Sequence, residues 1–269
     1  MLELLVEIAA WSSFAFAAVI FVIQVLAREA GYWIGRRSIR FYGKSHEGVG
    51  SIVAAVMGLL AFVLALTLSF ANSRFTERRD GTLAEANAIG TAWLRAEAIG
   101  HPRGQAVARL LEDYTRLRIE FLRAPNDPAV LQQLNQRTSN LQNDIWGHVT
   151  AIVRERADPI SNSLMTSLNE TFDATTAERF ADSFRIPPQL SWLLLGMSMT
   201  AMAAFGFQLG LKEAPLRIPA LILTGLWTVV IFDILDIASP RLGTMRTSTL
   251  AYEWTLQGFS GGIRIPPAP

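Results

Sequence analysis

Asp233 and Asp236 are the ionisable pair whose spacing most invites a chemical reading, because residues three apart share one face of a helix. Both stand at the end of a long apolar stretch, where a carboxylate can hold a cation or relay a proton. Structural pairing with Arg241, Arg246 or another helix suits the same spacing and is the stronger of the two expectations. Other reactive groups are sparse. His46, His101 and His148 are scattered, with no ligand spacing and no adjacent acid, so no metal site is expected. The chain has no cysteine, which excludes disulfides, thiolate nucleophiles and Cys-based metal clusters. No Walker loop, G-x-S-x-G or G-x-G-x-x-G stands in a suitable context. The residues point away from an enzyme, and no cofactor is expected.

The elements that carry these groups are apolar. The chain is 51% apolar and 17% charged, and the charges avoid four stretches at residues 4–26, 52–71, 190–211 and 218–238. A bilayer core about 30 Å thick needs about 20 mostly apolar residues in helical form. The expected fold is therefore all-α: an integral membrane protein with four transmembrane helices and a helical soluble insert between spans two and three. The expected domains are a transmembrane hairpin at 1–71, a helical soluble domain at 72–188, a second hairpin at 189–238 and a C-terminal tail at 239–269. The first stretch opens on acidic rather than basic residues and is too long for a cleaved signal, so it reads as a retained span, with Glu7 and Gln24 at its two interfaces.

Span one ends at Arg28, and a connector with Arg36, Arg37, Arg40 and Lys44 follows, interleaved with Tyr32, Trp33, Phe41 and Tyr42. That mixture suits the headgroup region, as ordinary anchoring or as a ring that attracts anionic lipid. Span two meets no breaker until residues 100–104 and is predicted to run on as one helix of nearly 50 residues, about 70 Å at 1.5 Å per residue. Val107, Leu110, Leu111, Tyr114, Leu117 and Phe121 then form a helical stripe. Asp127 with Pro128, and Asp158 with Pro159, are start signals for two further helices. Region 72–188 holds 14 Arg, no Lys and 15 Asp or Glu, a balance of −1 that suits solvated helix faces and excludes a nucleic-acid groove. A last amphipathic piece at 249–256 is expected along the headgroups.

Span two is the candidate functional helix. Ala54, Gly58, Ala61, Ala65 and Ser69 make a small-residue stripe suited to close helix packing. Beside it, Phe62, Leu66 and Phe70 repeat every four residues, either as rings of an apolar constriction or as a lipid-facing line. Beyond the span, Arg74 and Arg78 could line a vestibule or simply decorate a solvated face.

The chain resembles the bestrophin-like membrane proteins of bacteria. The resemblance is carried by GLLAFVLALTLS at 58–69, RFTERR at 74–79, EANAIGTAWLR at 85–95, and DILD at 233–236 with Pro240 and Gly243. A more distant similarity to true bestrophins implies a pentameric ion channel whose second span lines an apolar neck and continues into a helical cytoplasmic vestibule. The acidic calcium clasp of animal bestrophins has no counterpart after span four. Lys and Arg number eight on one membrane side and seven on the other, so charge alone leaves orientation open. The resemblance implies an inner-membrane location with the insert cytoplasmic. The partners implied are the bilayer, further copies of this chain and inorganic ions. The alternative is a non-conducting scaffold or sensor whose insert binds a ligand or a protein.

Overall fold

The computed structural model describes residues 13–42, 48–183, 188–214, 216–241, 244–264 and 266–267; the side chains of residues 13, 40–42 and 188 are outside that description. Residues 4–12 of the expected first span, together with Lys44, His46, Arg185 and Gly243, lie outside the described residues. Among those described there are eight helices and no strand: α1 Ser13–Tyr42, α2 Val49–Ala98, α3 Pro102–Arg123, α4 Pro128–Glu155, α5 Pro159–Ser183, α6 Pro188–Leu211, α7 Arg217–Ala238 and α8 Leu250–Phe259. Four of them, α1, α2, α6 and α7, are long and apolar enough to cross a membrane. The all-α, four-span expectation holds.

The chain forms two compact units. The first comprises Met1–Arg74 and Arg185–Arg246, and the second Phe75–Phe184 and Thr247–Pro269. In the first unit, Ile20, Leu60, Leu64, Leu194, Ala201, Ile231 and Ile234 are buried together. Its tightest contact is between α1 and α6. A Cβ added at Gly31 would lie 2.0 Å from the Ala203 carbonyl oxygen, and one at Gly35 would lie 2.2 Å from that of Phe207. In return, a Cβ at Gly206 would meet the Arg28 carbonyl oxygen at 2.0 Å, and one at Gly210 that of Tyr32 at 2.2 Å. Contact positions rise together along both chains, so α1 and α6 run parallel. In hydrocarbon, where no water is expelled, backbone approach of this kind is what holds helices together.

The expected connector after Arg28 is instead helix: α1 continues to Tyr42. Nothing in residues 28–42 breaks a helix except glycine, and here the glycines are the contact surface. Gln24 and Arg28, expected at the interface, are both buried, and Arg28 donates to Glu29 Oε1 at 2.6 Å. Burial follows from register, since each lies a multiple of about one turn from Gly31 and Gly35 on the packed face.

Local chemistry sets the helix starts in the second unit. His101 Nδ1 accepts from the Arg103 N–H at 3.1 Å, Asp127 Oδ1 from Ala129 at 2.9 Å, and Asp158 Oδ1 from Ser161 at 2.8 Å. Each cap is followed by a proline, which needs no donor in the first turn. The Ser161 N–H, then Arg156, hold the Asp158 carboxyl below the usual carboxylate range. Gly100 ends the long α2 at φ +63°, a conformation that suits glycine. Ile89, Leu111, Tyr114, Ile145, Ile152, Leu164 and Leu168 form the core. The C-terminal piece expected along the headgroups belongs to that core: Tyr252 and Phe259 of α8 are buried there, and Phe259 stacks on Trp93 at 4.8 Å between ring centroids. Two aromatic side chains four to seven residues apart can anchor a short helix on protein as readily as on lipid, and a protein groove was the available partner.

Gly206→Ala should lower the melting temperature of the detergent-solubilised protein markedly, because overpacking costs about 1–3 kcal/mol. Gly196→Ala, where an added Cβ meets nothing within 4 Å, should leave it unchanged. Equal melting temperatures for the two variants would refute the close α1–α6 crossing.

Candidate functional site

One side of α2 packs inward through Val53, Leu60, Leu64 and Ala71. The opposite side is exposed among the described residues. Phe62, Leu66 and Phe70 are 60%, 56% and 38% exposed, and Ala54, Gly58, Ala61, Ala65 and Ser69 are exposed beside them. A Cβ built on Gly58 meets nothing within 4 Å. The small-residue stripe and the large apolar line thus form one continuous exposed face. The glycines that do pack, at 31, 35, 206 and 210, escaped the sequence reading although both pairs have the G-x-x-x-G spacing of membrane helix contacts.

The two arginines beyond this face have different surroundings. Arg74 is half-buried, its guanidinium 5.1 Å from the Phe70 ring centroid. Arg78 is buried, and burial lowers its pKa against the opposing pull of Asp182 and Glu77. The aspartate pair divides as well. Asp236 is buried and accepts from the Thr244 N–H at 2.9 Å and the Thr244 hydroxyl at 2.7 Å, whereas Asp233 is exposed. Asp236 thus ties the end of α7 to the segment that follows. Among the described residues, no group of three or more His, Asp or Glu could hold a metal ion.

The family model of the bestrophin-like domain matches residues 14–252. The chain belongs to the bestrophin-like family. The match takes in all four candidate spans and the whole middle region. No curated protein matches the chain. Crystal structures of two single-residue variants of a bacterial bestrophin homologue from Klebsiella pneumoniae share its fold. One aligns at 16% identity with a TM-score of 0.64, covering 90% of this chain and 99% of the homologue. The other aligns at 15% identity with a TM-score of 0.69, covering 93% and 98%. A third crystal structure, of a membrane protein, aligns at 15% identity and a TM-score of 0.64 over 89% of this chain. At such identities the likeness is one of fold.

The most unusual polar site lies in the second unit and was not foreseen. Arg118, on α3, is fully buried and donates through Nε and Nη2 to Glu85 of α2 at 2.7 and 3.2 Å. Its Nη2 also bonds Glu178 of α5. Glu85 receives two further donors, Thr175 Oγ1 at 2.9 Å and the Tyr252 hydroxyl of α8 at 2.5 Å. Tyr114 shares a 2.6 Å hydrogen bond with Thr175. Burial works against the charge on Arg118, but the neighbouring carboxylates and tyrosines outweigh it and raise its pKa. Burial, together with Glu85, raises the pKa of Tyr252. Burial likewise lifts Glu178 to about 7, opposed by Arg118 and reinforced by Glu85 and Asp182. A signal was present in the sequence: Arg118 falls four after Tyr114 and seven after Leu111, on the stripe read as apolar.

Arg118→Met should destabilise the protein by about 3–5 kcal/mol, since it strands two carboxylates in the interior. Arg116→Met, which removes only exposed pairs with Glu112 and Asp113, should cost at most about 1 kcal/mol. Thermal unfolding followed by circular dichroism compares the two, and similar losses would contradict the central role of Arg118.

Proposed function

We propose that this bestrophin-like protein is an oligomeric ion channel of the bacterial inner membrane, with copies of α2 around the pore. The observation that carries the reading is the exposed apolar face of α2. A helix whose inner side is packed and whose outer side combines small residues with a repeating line of Phe62, Leu66 and Phe70 suits assembly about an axis. Small residues allow close approach between copies. The bulky apolar line supplies successive rings that close a pore by dewetting. The family resemblance favours five copies and a soluble, cytoplasmic middle region spanning 72–188.

Purified protein reconstituted in a planar bilayer should pass current under an ionic gradient, and its mass in detergent should correspond to an oligomer. Phe62→Ala and Leu66→Ala, by widening the rings, should each raise conductance or open probability severalfold. A monomer without conductance overturns the proposal, and an assembled but silent protein supports a scaffold or sensor instead. Because the native chain has no cysteine, orientation can be tested with single substitutions. Gln132→Cys should label from the cytoplasmic side only, and labelling from outside would reverse the topology.

A further inference from the structure

We infer that Glu85, Arg118, Glu178 and Tyr252 form a proton-binding clasp, in which one proton on Glu178 keeps α8 seated on the second unit. The inference goes beyond channel activity and does not depend on it. With both carboxylates ionised, the single guanidinium leaves the cluster at −1 in a space closed to solvent. Uncompensated buried charge is unfavourable, and uptake of one proton makes the cluster neutral.

The donors decide which carboxylate takes it. Glu85 is fully buried and accepts four hydrogen bonds, two from Arg118 and one each from Thr175 and Tyr252. Among the described hydrogen bonds Glu178 has one donor, Arg118 Nη2, and its 3% exposure leaves an edge for proton exchange. The groups facing Glu178 are Glu85 from α2, Arg118 from α3, Tyr252 from α8 and, on its own helix, Asp182 one turn on. Asp182 in turn acts on Arg78 of α2. The balance of these groups at Glu178 is acidic, and its raised affinity for a proton agrees with that balance.

The link to α8 is the Tyr252 hydroxyl on Glu85. Loss of the Glu178 proton leaves a net negative charge sealed in the core, and unseating of α8, whose Tyr252 closes the Glu85 side of the cluster, admits the water that relieves it. The linkage has a definite sign. Glu178 binds its proton more tightly when folded than the ordinary value of 4.5, up to about 7. Its contribution is therefore complete in acid and declines as pH rises through that window.

Hydrogen exchange on the full-length protein in detergent tests this, with rates corrected for intrinsic pH dependence. Protection of the Leu250–Phe259 segment should fall as pH rises from about 4.5 to about 7 and level off above that. Infrared difference spectra should show a protonated-carboxyl band that disappears with a midpoint near 7. Glu178→Gln should abolish both the band and the pH dependence while keeping α8 protected. Tyr252→Phe should lower α8 protection at every pH while retaining the infrared band. Protection of α8 that is the same across the range in the unmodified protein, or a Glu178→Gln protein that keeps the full pH dependence, overturns the clasp.

Discussion

Amide groups surrounded by hydrocarbon find no water to bond, so each span must satisfy its own backbone. That requirement makes α1, α2, α6 and α7 helical before any side chain is considered. It also removes the usual force that drives helices together, because lipid is as apolar as leucine. What remains is close contact, and Gly31, Gly35, Gly206 and Gly210 supply it by letting α1 and α6 meet backbone to backbone. The α2 face with Phe62 and Leu66 is a complementary case, exposed among the described residues.

The second unit solves a different problem. Its core is apolar, yet Glu85, Arg118 and Glu178 are buried with it. Each ion alone would be strongly disfavoured there. Together they draw α2, α3 and α5 onto one guanidinium, and Tyr252 adds α8. A site of this kind is a poor source of net stability compared with hydrophobic packing. It does impose geometry, since the planar fork of arginine accepts carboxylates only along set directions. The C-terminal helix is thus joined to the core by chemistry as well as by the stacking of Phe259 on Trp93.

Much was legible in order along the chain. The four spans follow from apolar length, the caps at Asp127 and Asp158 from the Asp-Pro pairs, and the unbroken α2 from the lack of glycine or proline pairs before residue 100. These are local properties, decided within a few turns of helix. Membership of the bestrophin-like family was legible too, in the motifs of α2 and the end of α7. Which glycines pack was harder to read. Gly58 sits in a conspicuous small-residue stripe, yet an added Cβ there would meet nothing within 4 Å among the described residues, whereas Gly31 and Gly35 lie in a segment whose arginines and aromatics suggested a connector.

Sequence alone determined the helical class, the number of spans and where most helices begin, because hydropathy, capping and helix breaking act between neighbours. Only the tertiary structure decided that Arg118 meets Glu85 and Glu178, that α8 joins the second unit, and that Asp233 and Asp236 have different surroundings. Those outcomes depend on residues up to 167 positions apart, as between Glu85 and Tyr252. A charge in a sequence carries no mark of whether water or another helix will surround it; that is settled when the helices pack.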